Sequence, residues 1–269
     1  MKKIVALVAV LFSVVVPVQA QADSKSLVII DSYFDSRATG ATIVCAPTLN
    51  CSTTAKPSTS IEDNTNHGDA MVEVAKRQGA TNIIALRSAA TPTSNVNAGN
   101  FIEALTWVNN NSSTVGAVSF SRFFNSVKMS TSLTECSPAS ENTAPYGGAS
   151  GADKKIRDLI TALNTKGIKV FAAVGNGKKS IDYPACILNT ASVTSPNPND
   201  IKTVDVDFNI SLITLPGIGS NFLGTIDWKN PKMINPFVIP QATSSATAAV
   251  AAKWVVTGGF IDKVVSVQS

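Results

Sequence analysis

Histidine is nearly absent from this chain: 269 residues include one, His67. Acid–base chemistry near neutral pH, if the protein performs it, has only this side chain with a suitable unperturbed pKa. Cysteine is sparse as well. The four present are Cys45, Cys51, Cys136 and Cys186, with no C-x-x-C pair among them, and that scarcity of thiolates and imidazoles argues against a zinc site. Glu62-Asp63 is the nearest thing to an acidic loop; it is too little to indicate calcium, and no cofactor or metal is expected. Charge of neither sign dominates, with 22 basic and 18 acidic residues. Two of the lysines, Lys2 and Lys3, stand at the extreme N-terminus, and without them the formal charge falls from +4 to +2. A balance so close to neutral gives no reason to invoke nucleic acid or an anionic membrane.

The apolar run within the first twenty residues is too short for a membrane span, and no later run is long enough. Those first residues have the form of an export signal. Lys2-Lys3 is followed by the apolar stretch Ile4 to Val16 and a small-residue cleavage site at Pro17-Val18-Gln19-Ala20, with Ala20-Gln21-Ala22 as a second option. Residues 1–20 are thus expected to be removed, and residues 23–269 to form one domain of an exported protein, periplasmic or extracellular. The cysteines suit an oxidising compartment. Cys45 and Cys51 bracket a short loop that a disulfide would close, leaving Cys136 and Cys186 to pair across the fold.

Strand-like and helix-like segments alternate. Ser26 to Ile30, Asn82 to Leu86, Val115 to Phe120 and Ile168 to Val174 are short apolar runs rich in β-branched residues. Gly68 to Arg77, Phe101 to Val108, Ala152 to Leu163 and Thr243 to Val255 have helical spacing or composition. Short β-like pieces fall between Thr190 and Leu215, and surface loops are expected over Cys45 to Glu62 and Thr131 to Gly151. Near-continuous apolar strands separated by helices indicate a parallel sheet buried on both faces, hence a three-layer α/β sandwich with a mainly parallel central sheet. In such sheets ligands bind at the carboxyl ends of the strands. Asp31 follows the first strand, and Gly175-Asn176-Gly177 follows the strand ending at Val174.

A serine nucleophile needs a base, an orienting carboxylate for that base, and donors for the developing oxyanion. Asp31, His67, Ser244 and Asn176 are candidates for these parts. Taken singly, each has a plainer reading: a strand-ending aspartate, a packing histidine, a helix N-cap serine and a turn asparagine. Their order along the chain, Asp then His then Ser, is one in which such a triad occurs.

The flanking residues resemble the subtilisin-like serine proteases. Leu27-Val28-Ile29-Ile30-Asp31-Ser32 is similar to the family's apolar strand ending in Asp-Ser or Asp-Thr, and His67-Gly68 with Val72 and Ala75 to its histidine helix. Trp107-Val108-Asn109-Asn110 leading into Ala117-Val118-Ser119-Phe120-Ser121 resembles the helix and strand that line its substrate cleft. Val170 to Asn176 resembles its oxyanion segment, Tyr183-Pro184-Ala185 with Asn189 the stretch that follows, Leu215-Pro216-Gly217 its Ala-Pro-Gly turn, and Ala242-Thr243-Ser244-Ser245-Ala246 its nucleophile turn. The resemblance runs from Ser26 to Val255.

It implies a serine endopeptidase with catalytic Asp31, His67 and Ser244 and Asn176 as oxyanion donor. It also implies an extended cleft in which a peptide or protein substrate adds a strand at Ser119, Phe120, Ser121 and Gly175. Arg122 reads as a solvated arginine. The chain departs from the pattern in several places. Tyr33 stands where the family has glycine; Asp69 and Ala70 follow His67-Gly68, so Asp69 brings a carboxylate toward the base that would raise the His67 pKa if close. Ala242 replaces the glycine before Thr-Ser, and Thr247-Ala248-Ala249 replaces the usual proline and histidine. Asp31 also falls so soon after the signal that no N-terminal pro-domain is expected. These departures keep two other readings open: a catalytically impaired binding protein on the same fold, and an esterase using the same triad.

Overall fold

In the computed structural model, the structure describes residues 25–35, 37–47, 66–89, 96–122, 146–176, 182–187, 189–193, 232–234, 237–239 and 243–259. Six strands form one sheet: β1 (Ser26–Asp31), β2 (Ala41–Cys45), β3 (Ile83–Arg87), β4 (Val115–Phe120), β5 (Lys169–Ala173) and β6 (Ala191–Val193). Their spatial order is β2-β3-β1-β4-β5-β6, and every pairing is parallel. Parallel strands need crossovers, which helices supply. These are α1 (His67–Arg77), α2 (Ala98–Asn110) and α3 (Gly148–Thr165). The helix α4 (Thr243–Val256) completes the layers, and β7 (Lys232–Ile234) and β8 (Phe237–Ile239) make a separate antiparallel pair.

The expected three-layer architecture is what the side chains build. Alternate residues of a strand face opposite sides of the sheet. In β1, Val28 and Ile30 join one core with Phe101, Leu105 and Val108 of α2 and Ile156, Ile160 and Leu163 of α3. Leu27 and Ile29 join the other, with Met71, Val74 and Ala75 of α1 and the alanines of α4. Both faces of β1 are therefore dry, which is why its apolar run is unbroken. All ten residues from Thr243 to Ala252 are buried. A helix enclosed on every side needs neither a polar face nor large side chains; its run of Ala, Ser and Thr lets α4 lie close against α1, β4 and β5.

The structure revises several boundaries. β2 was not expected, and Cys45 is its last residue rather than the start of a loop. Its side chains are half-exposed at the sheet margin, so it lacks the buried alternation that marks a strand in sequence. The helix α3 begins at Gly148, inside the segment read as loop. Gly147 and Gly148 both have left-handed φ, +80° and +83°, and glycine-rich starts carry no helical signal. Cys45 and Cys186 are both disulfide-bonded, and no described cysteine is free. β2, which ends in Cys45, and β6, beside Cys186, are opposite margins of the sheet, five strand spacings of about 4.8 Å apart. These two cysteines therefore do not bond to each other. Cys51 and Cys136 lie outside the described residues, as do residues 1–20, Leu215-Pro216-Gly217 and Ala242.

The connectivity sets the site. From β1 the chain goes outward to β2, returns to β3 on one side of β1, and then crosses to β4 on the other. The carboxyl end of β1 is thus the topological switch point, where an open parallel sheet leaves a crevice. Asp31 is the residue there.

Candidate active site

Asp31 is fully buried. Its Oδ2 lies 2.6 Å from Nδ1 of His67, the first residue of α1. His67 is held there by a close helix–loop approach: a side chain at Gly68 would collide with the Tyr33 carbonyl and the Phe34 ring. The other carboxylate oxygen, Oδ1, accepts the Ser32 N–H at 2.7 Å and Nε of Arg122 at 2.8 Å. Burial alone would raise the Asp31 pKa; the facing charges and hydrogen bonds of His67 and Arg122 outweigh it and hold the group far below the ordinary carboxylate range.

Arg122 is therefore not a solvated arginine. Its side chain is 15% exposed and pairs with Asp31 across 91 positions of sequence. Parallel pairing of β1 with β4, in register Ile30 with Phe120, is what carries residue 122 to the end of β1. Its Nη2 is buried with no hydrogen-bond partner among the described residues.

Ser244 stands in the first turn of α4 and is 9% exposed. Its Oγ donates to the Ser121 carbonyl at 2.9 Å, and Ser121 Oγ donates to the Ser244 carbonyl at 2.9 Å. Asn176, exposed two residues beyond Val174, is anchored by its carbonyl: Oδ1 accepts both the backbone N–H and the hydroxyl of Thr243, each at 2.9 Å. A backbone N–H can only donate, so it fixes the amide orientation and leaves Nδ2 as the outward donor. Asn176 and Ser244 are thus tied together through Thr243. Gly175 precedes them with φ +98°, packed so closely on Asp182 that a Cβ there would press into the carboxylate.

Of the four residues expected to act together, Asp31 and His67 are hydrogen-bonded to each other at the end of β1, and Asn176 and Ser244 are tied through Thr243 beyond β5, while the Ser244 hydroxyl donates to the Ser121 carbonyl just past β4. Of the residues expected to hold substrate, Ser121 and Gly175 lie just past β4 and β5. Ser119 and Phe120 do not: both are fully buried in β4, Phe120 stacks on Phe101 with ring centroids 4.3 Å apart, and β4 is paired on both sides as far as Phe120.

Asp69 does not serve as a second carboxylate for the ring. Two residues on from His67 it faces another side of the helix, where Oδ1 accepts the Asp35 N–H at 3.0 Å and Oδ2 lies 3.4 Å from Arg37. Tyr33, in place of the expected glycine, lies under the guanidinium of Arg87, 4.6 Å from the ring centroid. Arg87 ends β3 directly beside Asp31, so the bulk at position 33 fills space against a buried arginine that the sequence does not single out.

No family model matches the sequence, and no curated protein matches it. Solved structures match in fold. A mutant of the protease domain of PatA has a TM-score of 0.54 at 10% identity, covering 88% of this chain and 82% of that one. The prenylagaramide maturation protease PagA gives 0.53 at 13%, covering 88% and 79%. The PatG macrocyclase in complex with peptide gives 0.51 at 11%, covering 89% and 79%. The chain has the α/β fold of subtilisin-like proteases.

Proposed function

We propose that this protein is an exported serine endopeptidase. The observation that carries the reading is the buried Asp31 carboxylate 2.6 Å from Nδ1 of His67, at the carboxyl end of β1. Asp31 fixes the ring with Nδ1–H toward it, which leaves Nε2 as the basic nitrogen. His67 takes the Ser244 proton as Oγ attacks the scissile carbonyl, and returns it to the leaving amine. Asn176 Nδ2, with a backbone N–H at the start of α4, stabilises the oxyanion; the positive end of the helix adds to this.

In the resting site the Ser244 hydroxyl donates to the Ser121 carbonyl. A peptide strand added along Ser121 brings its own backbone N–H to that acceptor. The hydroxyl is then released toward His67, so that hydrogen bonds loose in the free enzyme tighten with substrate present. Export through the signal at residues 1–20, disulfides Cys45–Cys51 and Cys136–Cys186, and activity without a metal belong to the same reading. The solved neighbours named as proteases support it at the level of fold.

The test is fluorophosphonate labelling and cleavage of a peptide library by the mature chain and its Ser244→Ala and His67→Ala variants. The expected result is labelling and cleavage in the first, and loss of both in the variants. Labelling without cleavage would point to the esterase, and no labelling to a binding protein.

A further inference from the structure

We propose that Arg122 is a positioning residue that clamps Asp31 from the side opposite His67 and keeps the imidazole from gaining protons as readily as an Asp–His pair alone would allow. The proposal rests on reading His67 as the base.

The geometry is a line of three charges. Arg122 Nε, 2.8 Å from Oδ1, and His67 Nδ1, 2.6 Å from Oδ2, hold the same carboxylate by its two oxygens. Asp31 is fully buried, which strengthens both contacts relative to a carboxylate in water. A lone buried aspartate draws a proton strongly onto a neighbouring imidazole. A guanidinium fixed on its far oxygen offsets part of that field at the ring, while the Nδ1–H···Oδ2 hydrogen bond stays in place. Orientation is kept and part of the gain in basicity is given up, which leaves His67 unprotonated, and able to act as base, at lower pH.

A structural ion pair would be expected to use the guanidinium fork fully. Arg122 reaches Asp31 through Nε and leaves Nη2 buried with no partner among the described residues. Arg122 also follows Ser121 directly, so the clamp and the anchor of Ser244 share one turn of chain.

Among the described residues, the other charged groups near the ring have partners of their own. On α1, Asp69 is bound by Asp35 and Arg37, and Glu73 pairs with Lys76. Arg37 also forms an ion pair with Asp35. Arg87 of β3 sits over Tyr33. The buried run of α4, Thr243 to Ala252, contains no ionisable side chain, and Asp182 lies against Gly175 beyond β5.

Because His67 is the only histidine in the chain, its ring resonances report one group without assignment. The experiment is NMR titration of the full chain and its Arg122→Gln, Arg122→Lys and Asp31→Asn variants. In Arg122→Gln the His67 midpoint should rise by about one pH unit or more, with Arg122→Lys between it and wild type. The acid limb of kcat/KM should move with it. In Asp31→Asn, where the arginine faces the ring without its counter-charge, the midpoint should fall below the ordinary value of about 6.5. An unchanged midpoint in folded Arg122→Gln overturns the proposal. If that variant does not fold, an Asp31→Asn midpoint at or above the ordinary value does the same. The titration needs no substrate: shifted midpoints in a protein that cleaves nothing would sink the protease and leave the clamp standing.

Discussion

Ser121 and Ser244 exchange two hydrogen bonds, each hydroxyl donating to the other residue's carbonyl at 2.9 Å. One residue lies just past β4 and the other stands in the first turn of α4, so the pair pins the start of α4 to the end of β4. Replacing Ser121 by alanine removes one bond and leaves the backbone acceptor of the other. The expected cost in stability is about 1 kcal/mol. Loss of placement at Ser244 should slow its labelling by about tenfold, the rate equivalent of roughly 1.4 kcal/mol. Stopped-time labelling at matched folded fraction measures it; an unchanged rate would show that the helix needs no such pin.

Gly175→Ala should damage the oxyanion side of the site. The position has φ +98°, and its Cβ would meet the Asp182 carboxylate. The left-handed backbone alone costs an alanine about 1–2 kcal/mol, and the collision adds to it. Relief of the clash would shift Asn176, whose amide is held only 2.9 Å from Thr243. A fall in kcat exceeding the fall in substrate affinity is expected, since an oxyanion donor acts in the transition state. Equal kinetics in the variant would mean that the glycine is needed for the turn alone.

Much of this arrangement could be read from residues alone, and the physical reason differs from part to part. β1 and β4 are buried on both faces, so their apolar runs are unmistakable, and β4 has the expected bounds of Val115 and Phe120. Asp31, His67, Asn176 and Ser244 were marked by their strand ends, helix starts and order. Arg122 was misread because its partner is 91 positions away; a charged residue after a strand looks solvated until the pairing of β1 with β4 is known. The same register would have revealed it, since Ile30 beside Phe120 places Ser121 at Asp31 and residue 122 one position beyond, within reach of the carboxylate. Ser119 and Phe120 were placed in the cleft by resemblance, yet a strand paired on both sides offers no edge.

Phe120→Ala separates these two views of residue 120. Its ring is fully buried and stacked on Phe101. Truncation should cost about 3–5 kcal/mol, seen as a lower midpoint in chemical denaturation. In the fraction that remains folded, KM for a peptide substrate should change less than twofold, about 0.4 kcal/mol. A selective rise in KM with stability intact would return Phe120 to the substrate cleft.

The Asp69 carboxyl is pushed up to about 8, first by burial and further by the Asp35 carboxylate, against the opposing pull of the Asp35 N–H and Arg37. Unfolded, it titrates near 3.9. Between these values the folded chain binds more protons than the unfolded chain, so stability from this group is full below about pH 4 and is lost as pH rises toward 8. Asp31 and Asp35 are held below the ordinary carboxylate range and are ionised in both states from about pH 5 upward, so they add no slope there. Asp69→Asn keeps an oxygen to accept the Asp35 N–H and removes the titration. Wild type should therefore lose stability relative to the variant between pH 5 and pH 8, by about 1 kcal/mol or more. Denaturant melts at three pH values across that window measure the difference. Parallel pH profiles for the two proteins would mean that Asp69 is ionised throughout, held by its 3.4 Å pairing with Arg37.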